Sequence, residues 1–129
     1  MKRKLLIGLG AAVIVVIGIV FYAYCFACKM HAKAALADVT EAVSREFDAE
    51  GHLQNPRHAV DTCEWAEGHY PVGAVLPTWH PFAKGYQEAR EAQIERVRAR
   101  LVEDFGVDHG RDWAGWKRCI FEPPPPRRR

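Results

Sequence analysis

The stretch LLIGLGAAVIVVIGIVFYAYCFAC, residues 5–28, carries no charged side chain, and its reading decides the architecture of everything around it. A bilayer hydrocarbon core of about 30 Å is crossed by about 20 apolar residues in an α-helix, so this run is long enough to span with some tilt. Tyr22, Tyr24 and Phe26 near its end suit an interfacial aromatic belt, and Lys2, Arg3 and Lys4 ahead of it suit a cytoplasmic edge. Lys29 and Lys33 beyond it weaken the charge asymmetry without reversing it. The stretch therefore reads as a retained single-pass anchor in a bacterial inner (plasma) membrane. The N-terminus is cytoplasmic and the C-terminal part is periplasmic or extracellular. A cleaved leader is the alternative, but leader cores are usually only about 7–15 residues long. The small-x-small site at Ala35-Leu36-Ala37 also lies past the apolar run. Gly8 and Ala12, four apart, offer a small-residue face through which two copies could pair.

The chain of 129 residues leaves room for one modest domain beside this anchor. Its net charge of +2 hides a pattern. Six of the 18 basic residues sit at the two ends, in Lys2–Lys4 and Arg127–Arg129, leaving 12 against 16 acidic residues in between. A body of net −4 lacks the clustered basic face that nucleic-acid binding needs, so DNA and RNA are not expected partners.

Downstream of the anchor, Leu36, Val39, Val43 and Phe47 recur at helical spacing with no Pro or Gly between Gly18 and Gly51. The anchor helix is expected to continue as a stalk, breaking near "DAEGH". Residues 51–81 are punctuated by Gly and Pro. Irregular structure is expected there, with a short helix near Val60–Ala66 and at most a brief strand at Val72–Leu76. Trp65, Tyr70 and Trp79 are expected to supply its core. A further helix starts after Pro81, carries Tyr86, Ala89, Ile94, Val97, Leu101 and Phe105 on one face and stops at Gly106. Four prolines at 123–126 favour an extended tail. The organisation expected is a basic start at 1–4, the anchor at 5–28, a stalk at 29–50, a small exported domain at 51–122 and a Pro/Arg tail at 123–129. The fold class is mainly α.

Four cysteines fall in two pairs. Cys63 and Cys119 each neighbour tryptophan, and an oxidising compartment makes them natural disulfide partners. Closing a loop of about 55 residues would stabilise by roughly 2–4 kcal/mol. Cys25 and Cys28 sit three apart, on one face of a continuing helix, where a mutual bridge is strained. The leading reading makes them small, mildly apolar residues that end the membrane helix. A bridge between the like cysteines of two parallel copies is the alternative. Haem attachment normally uses Cys-x-x-Cys-His. Here "CFACK" is similar to the Cys-x-x-Cys-Lys variant of the pentahaem nitrite reductase family. The likeness covers five residues without that family's further haem motifs. It implies haem attachment at Cys25 and Cys28, while a thioredoxin-like redox pair is a separate reading of the same two cysteines that lacks a βαβ context.

The remaining chemistry is sparse. His58, Cys63, His69 and His80 lack a recurrent zinc spacing. No serine-elbow, zincin or phosphate-loop motif occurs. His58, Asp61 and Thr62 are neighbours in sequence only. No catalytic residue, metal or cofactor is expected. Arg90, Arg96, Arg98 and Arg100, interleaved with glutamates, read as a solvated helix face. Together with Arg127, Arg128 and Arg129 they are the residues to test for partner contact. The tail also fits Pro-x-x-Pro-x-Arg, an SH3-type ligand were it cytosolic. The function expected is protein–protein contact at the membrane: an accessory subunit, inhibitor or exclusion factor. The rivals are the redox or haem carrier and a signalling adaptor with a cytosolic tail.

Overall fold

The structure is a computed structural model that describes residues 1–69, 80 and 83–122. Four helices make up most of the described residues: α1 (Lys2–Ser44), α2 (Pro56–His69), α3 (Ala83–Phe105) and α4 (Trp113–Phe121). The only strand-like pairing among those residues is a single antiparallel bridge, Phe47 to Leu53. The strand considered at 72–76, Tyr70, Trp79, the helix start at Pro81 and the 123–129 tail lie outside the described residues.

α1 has two halves with different surroundings. From Leu5 to Phe26 its large apolar side chains are exposed, and this part is long and apolar enough to cross a membrane. From Cys28 onward the helix turns one face inward, burying Cys28, Ala32, Ala35, Val39 and Val43. The spacings of four and three follow the helical repeat. The helix ends at Ser44, earlier than the break expected near Asp48. Asp48 itself organises the loop that follows: its carboxylate accepts from the backbone N–H of Glu50 at 3.0 Å and of His52 at 2.7 Å. Gly51 takes φ +81°, which a side chain would resist.

α2 is longer than the short helix expected. Its start signal is present in "NP". The Asn55 side chain accepts from the His58 N–H at 3.3 Å, and Pro56 takes the first helical position, where a missing N–H costs nothing. Glu46 at the end of α1 meets His58 and Thr62, so α2 runs back antiparallel to α1. α3 runs parallel to α1. Ala83 and Tyr86 pack against Cys28, Ala32 and Ala35, while Ile94, Val97 and Leu101 share the main core with Val39 and Val43. Gly106 ends α3 as expected, at φ +70°, its N–H bonded to the Val102 carbonyl at 2.8 Å. The chain then doubles back along α3, with Asp108 paired to Arg98 and Arg111 to Glu91.

α4 was not anticipated. Asp112 caps it by accepting from the Gly115 N–H at 2.9 Å, and Trp113, Trp116 and Ile120 fall at helical spacing toward the core. Trp116 is the largest fully buried side chain, its indole N–H donating to the Gly110 carbonyl at 3.2 Å. Among the described residues the buried aromatic side chains of the main core, Trp113 and Trp116, both come from α4. Trp65, expected there, is 37% exposed.

Candidate functional site

The polar group that most departs from ordinary surface chemistry lies where α1 ends against α2. Glu46 continues the apolar stripe of Val39 and Val43 by helical spacing, which carries a carboxylate inward. Its side chain is only 5% exposed. One oxygen, Oε1, accepts from the buried Thr62 hydroxyl at 2.8 Å and lies 2.7 Å from His58 Nδ1. The carboxylate thus fixes the imidazole ring, which is 69% exposed, and leaves its other nitrogen toward solvent. Beside it runs a shallow groove of about 280 Å³ lined by Ala42, His58, Asp61, Thr62 and Trp65. A histidine oriented by a buried carboxylate can transfer a proton or ligate a metal through its free nitrogen. Asp61, however, is committed to Lys117 at 2.8 Å. Among the described residues no group of three or more His, Cys, Asp and Glu is placed to hold a metal. Sequence reasoning noted His58, Asp61 and Thr62 only as neighbours along the chain and missed Glu46; the signal was a carboxylate at an inward position of the stripe.

The cysteines are placed differently from the pairing expected. All four are free thiols, and the Cys63–Cys119 bridge is not made. The reason is the rotation of α4. Trp113 bonds Glu67, Lys117 meets Asp61 and Glu64, and Phe121 lies under Arg57, so positions 113, 117 and 121 face α2. Cys119 is two residues from both 117 and 121, about 200° around the helix. It lines a separate groove with Val107, His109, Gly115, Arg118 and Glu122. Cys63 is fully buried in the main core, and that burial pushes its thiol up to about 12. Cys28 is covered by Ala83 and Tyr86, whereas Cys25 is half-buried. Of this pair only Cys25 keeps part of its surface open to a second chain.

The arginines proposed from sequence for partner contact are engaged within the domain. Arg90 is 6% exposed, because position 90 lies on the inward line of Tyr86 and Ile94. It stacks near Tyr86 at 5.9 Å and meets Glu91 at 3.5 Å. Arg96 lies 4.2 Å over the Phe47 ring, tying α3 to the loop after α1. Arg98 bonds Glu95 and Asp108; the bond from Arg98, and after it the one from the Gly110 N–H, hold the Asp108 carboxyl below its usual range. Arg100 pairs with Glu103 at 3.1 Å and Asp104 at 3.0 Å. A further network joins three elements. Arg111 bridges Glu91 and Glu67, and Glu67 accepts from the Trp113 indole at 2.6 Å. Burial works against the Arg111 charge, but the two carboxylates outweigh it and raise its pKa. Arg127, Arg128 and Arg129 lie outside the described residues. Gly8 and Ala12 are exposed on the bare half of α1.

No family model matches the chain, and neither a curated protein nor a solved structure matches it.

Proposed function

We propose that this is a single-pass membrane protein whose first 28 residues anchor it with the N-terminus in the cytoplasm. Its helical domain is held on the outer side of a bacterial inner membrane and acts by protein contact, as an accessory subunit, inhibitor or exclusion factor. One observation carries the reading. The apolar residues from Leu5 to Phe26 cover no part of the domain and are exposed on every side of the helix. Exposing that much apolar surface to water is strongly unfavourable, at roughly 25 cal/mol per Å², so this half of α1 requires lipid or a protein partner around it. Lys2, Arg3 and Lys4 support the orientation. The test uses the full chain with a C-terminal tag. The protein is expected to stay with membranes through alkaline carbonate washing, and its tag to be digested by protease added to spheroplasts. Release by carbonate refutes the anchor; a tag protected in spheroplasts and cleaved in inverted vesicles refutes the orientation and favours the cytosolic adaptor.

A further inference from the structure

We infer that the groove between α1 and α2, lined by Ala42, His58, Asp61, Thr62 and Trp65, binds an arginine side chain presented by a protein partner. This rests on the contact reading above and names the surface and the chemistry that would meet it there. Three observations converge. The first is an acceptor held in place. A carboxylate only accepts, so the neutral His58 ring keeps its proton on Nδ1, 2.7 Å from Glu46 Oε1. Its Nε2 then offers a lone pair to whatever enters the groove. Glu46 is itself buried and bonded to the Thr62 hydroxyl, so the direction of the ring is set before any partner arrives.

The second is shape. His58, Asp61 and Trp65 recur at helical spacing along one face of α2, the first and last about 10 Å apart along the axis. The groove beside them holds about 280 Å³. A guanidinium is a flat, donor-only group that bonds two acceptors at once and stacks on indole, whereas an ammonium is a compact point charge. With His58 and Asp61 at its head and Trp65 along its stem, an arginine side chain meets each of these groups in kind. The third is charge. Residues 38–46 and α2 carry six carboxylates, Asp38, Glu41, Glu46, Asp61, Glu64 and Glu67, against Arg45 and Arg57. Lys117 and Arg111 reach over from the rest of the domain, and with all of these pairs closed the face keeps a net charge of −2. Lys117 is shared between Asp61 and Glu64, so Asp61 has no cation to itself. An acidic face of this kind selects a cationic partner over a neutral or anionic one.

The experiment titrates the isotope-labelled full chain in nanodiscs, at mildly alkaline pH, with the capped tripeptide acetyl-Ala-Arg-Ala-amide and with its lysine and citrulline counterparts. Binding is read from the NMR signals of the His58 ring and the Trp65 indole. The arginine peptide is expected to bind on the order of 10-fold more tightly than the citrulline one, the loss that a missing charge-assisted hydrogen bond gives, and more tightly than the lysine one. His58→Ala, at a largely exposed position, is expected to weaken it about 5–10-fold. Glu46→Leu with Thr62→Val removes the carboxylate that orients the ring but leaves His58 in place, and is expected to weaken it by a similar factor. Equal affinity for the arginine and citrulline peptides overturns the guanidinium assignment. Arginine affinity untouched by His58→Ala overturns the groove as its site. Binding that appears only when Arg127, Arg128 and Arg129 are changed to Gln overturns the assignment to a separate partner. No binding by a chain that carbonate leaves in the membrane overturns the groove and leaves the anchor standing; binding by a chain that carbonate strips away upholds the groove and refutes the anchor.

Discussion

Replacing Glu46 with alanine tests whether the buried carboxylate is a structural tie between α1 and α2. Its Oε1 holds two donors of unequal weight. Thr62 is buried, so without Glu46 its hydroxyl has lost a partner that water does not readily replace, at a cost of about 1–3 kcal/mol. His58 is largely exposed and regains water when the carboxylate is removed, so its pair is worth under about 1 kcal/mol after screening. The sum for Glu46→Ala is about 2 kcal/mol, or a Tm lower by roughly 10 °C for a domain of this size. Thr62→Val is expected to cost a similar amount by leaving the carboxylate short of a donor. The informative variant is the double change, Glu46→Leu with Thr62→Val, which removes both polar partners and keeps volume. It should be more stable than the two single effects added together, because apolar replacement of a whole pair is close to neutral. The assay is thermal unfolding of the full chain in nanodiscs, followed by far-ultraviolet circular dichroism. A Glu46→Ala Tm within about 2 °C of the parent, or strict additivity of the pair, would refute the reasoning.

Other expectations follow from particular contacts. A Cβ on Gly115 would stand 2.3 Å from Asp112 Oδ2 and 3.3 Å from His109 Nδ1. Gly115→Ala should therefore displace the α4 cap and lower stability by about 1–2 kcal/mol, measurable by the same melts. The Cys63 thiol lies well above its ordinary value of 9.0. Its unfolded form therefore releases a proton first as pH rises, so this group's stability contribution is intact below pH 9 and is lost progressively as pH rises toward about 12. Maleimide labelling of the folded chain at neutral pH should accordingly modify Cys119 and leave Cys63 unreacted until denaturant is added; rapid labelling of Cys63 in the native state would contradict its burial. Trp113→Phe removes the indole donor to Glu67 and should cost about 1 kcal/mol, while Trp116→Ala should cost about 3–5 kcal/mol through the cavity it leaves.

What the sequence made legible was whatever one helix face settles alone. The exposed apolar half of α1, the Ile94–Val97–Leu101 face of α3 and its stop at Gly106 need no knowledge of neighbours. Position 90 failed because its residue type outvoted its place: an arginine between glutamates reads as outward, yet it lies on the line of Tyr86 and Ile94 and is buried with its stem packed. Glu46 failed in the same way. α4 is only nine residues long, and its propensity is weakened by Gly115, so its cap and tryptophan spacing were the available signs. The placement of the cysteines was not legible for a geometric reason. Proximity of two cysteines to tryptophan says nothing about rotation, and α4 turns Trp113 toward α2 while turning Cys119 away.

The burial along α1 also bears on whether its apolar half stays attached. The alternative of a cleaved leader places the cut at Ala35–Ala37, and Ala35 is 2% exposed in the middle of a packed turn. A chain beginning at Asp38 keeps Val39 and Val43 but loses Cys28, Ala32 and Ala35, baring Ala83 and Tyr86 at the start of α3. Uncovering Tyr86 and Ala83 exposes on the order of 100 Å² of apolar surface, or about 2–3 kcal/mol. For a domain of some 90 residues that is a large share of the whole stability. Two soluble truncations separate the cases. One starting at Cys28 retains every contact of the second cluster and is expected to melt cooperatively; one starting at Asp38 is expected to melt roughly 10 °C lower or to lose its transition. Equal melting of the two would show that the lower turns of α1 contribute nothing to the domain. It would also remove the physical objection to a mature chain that begins beyond them.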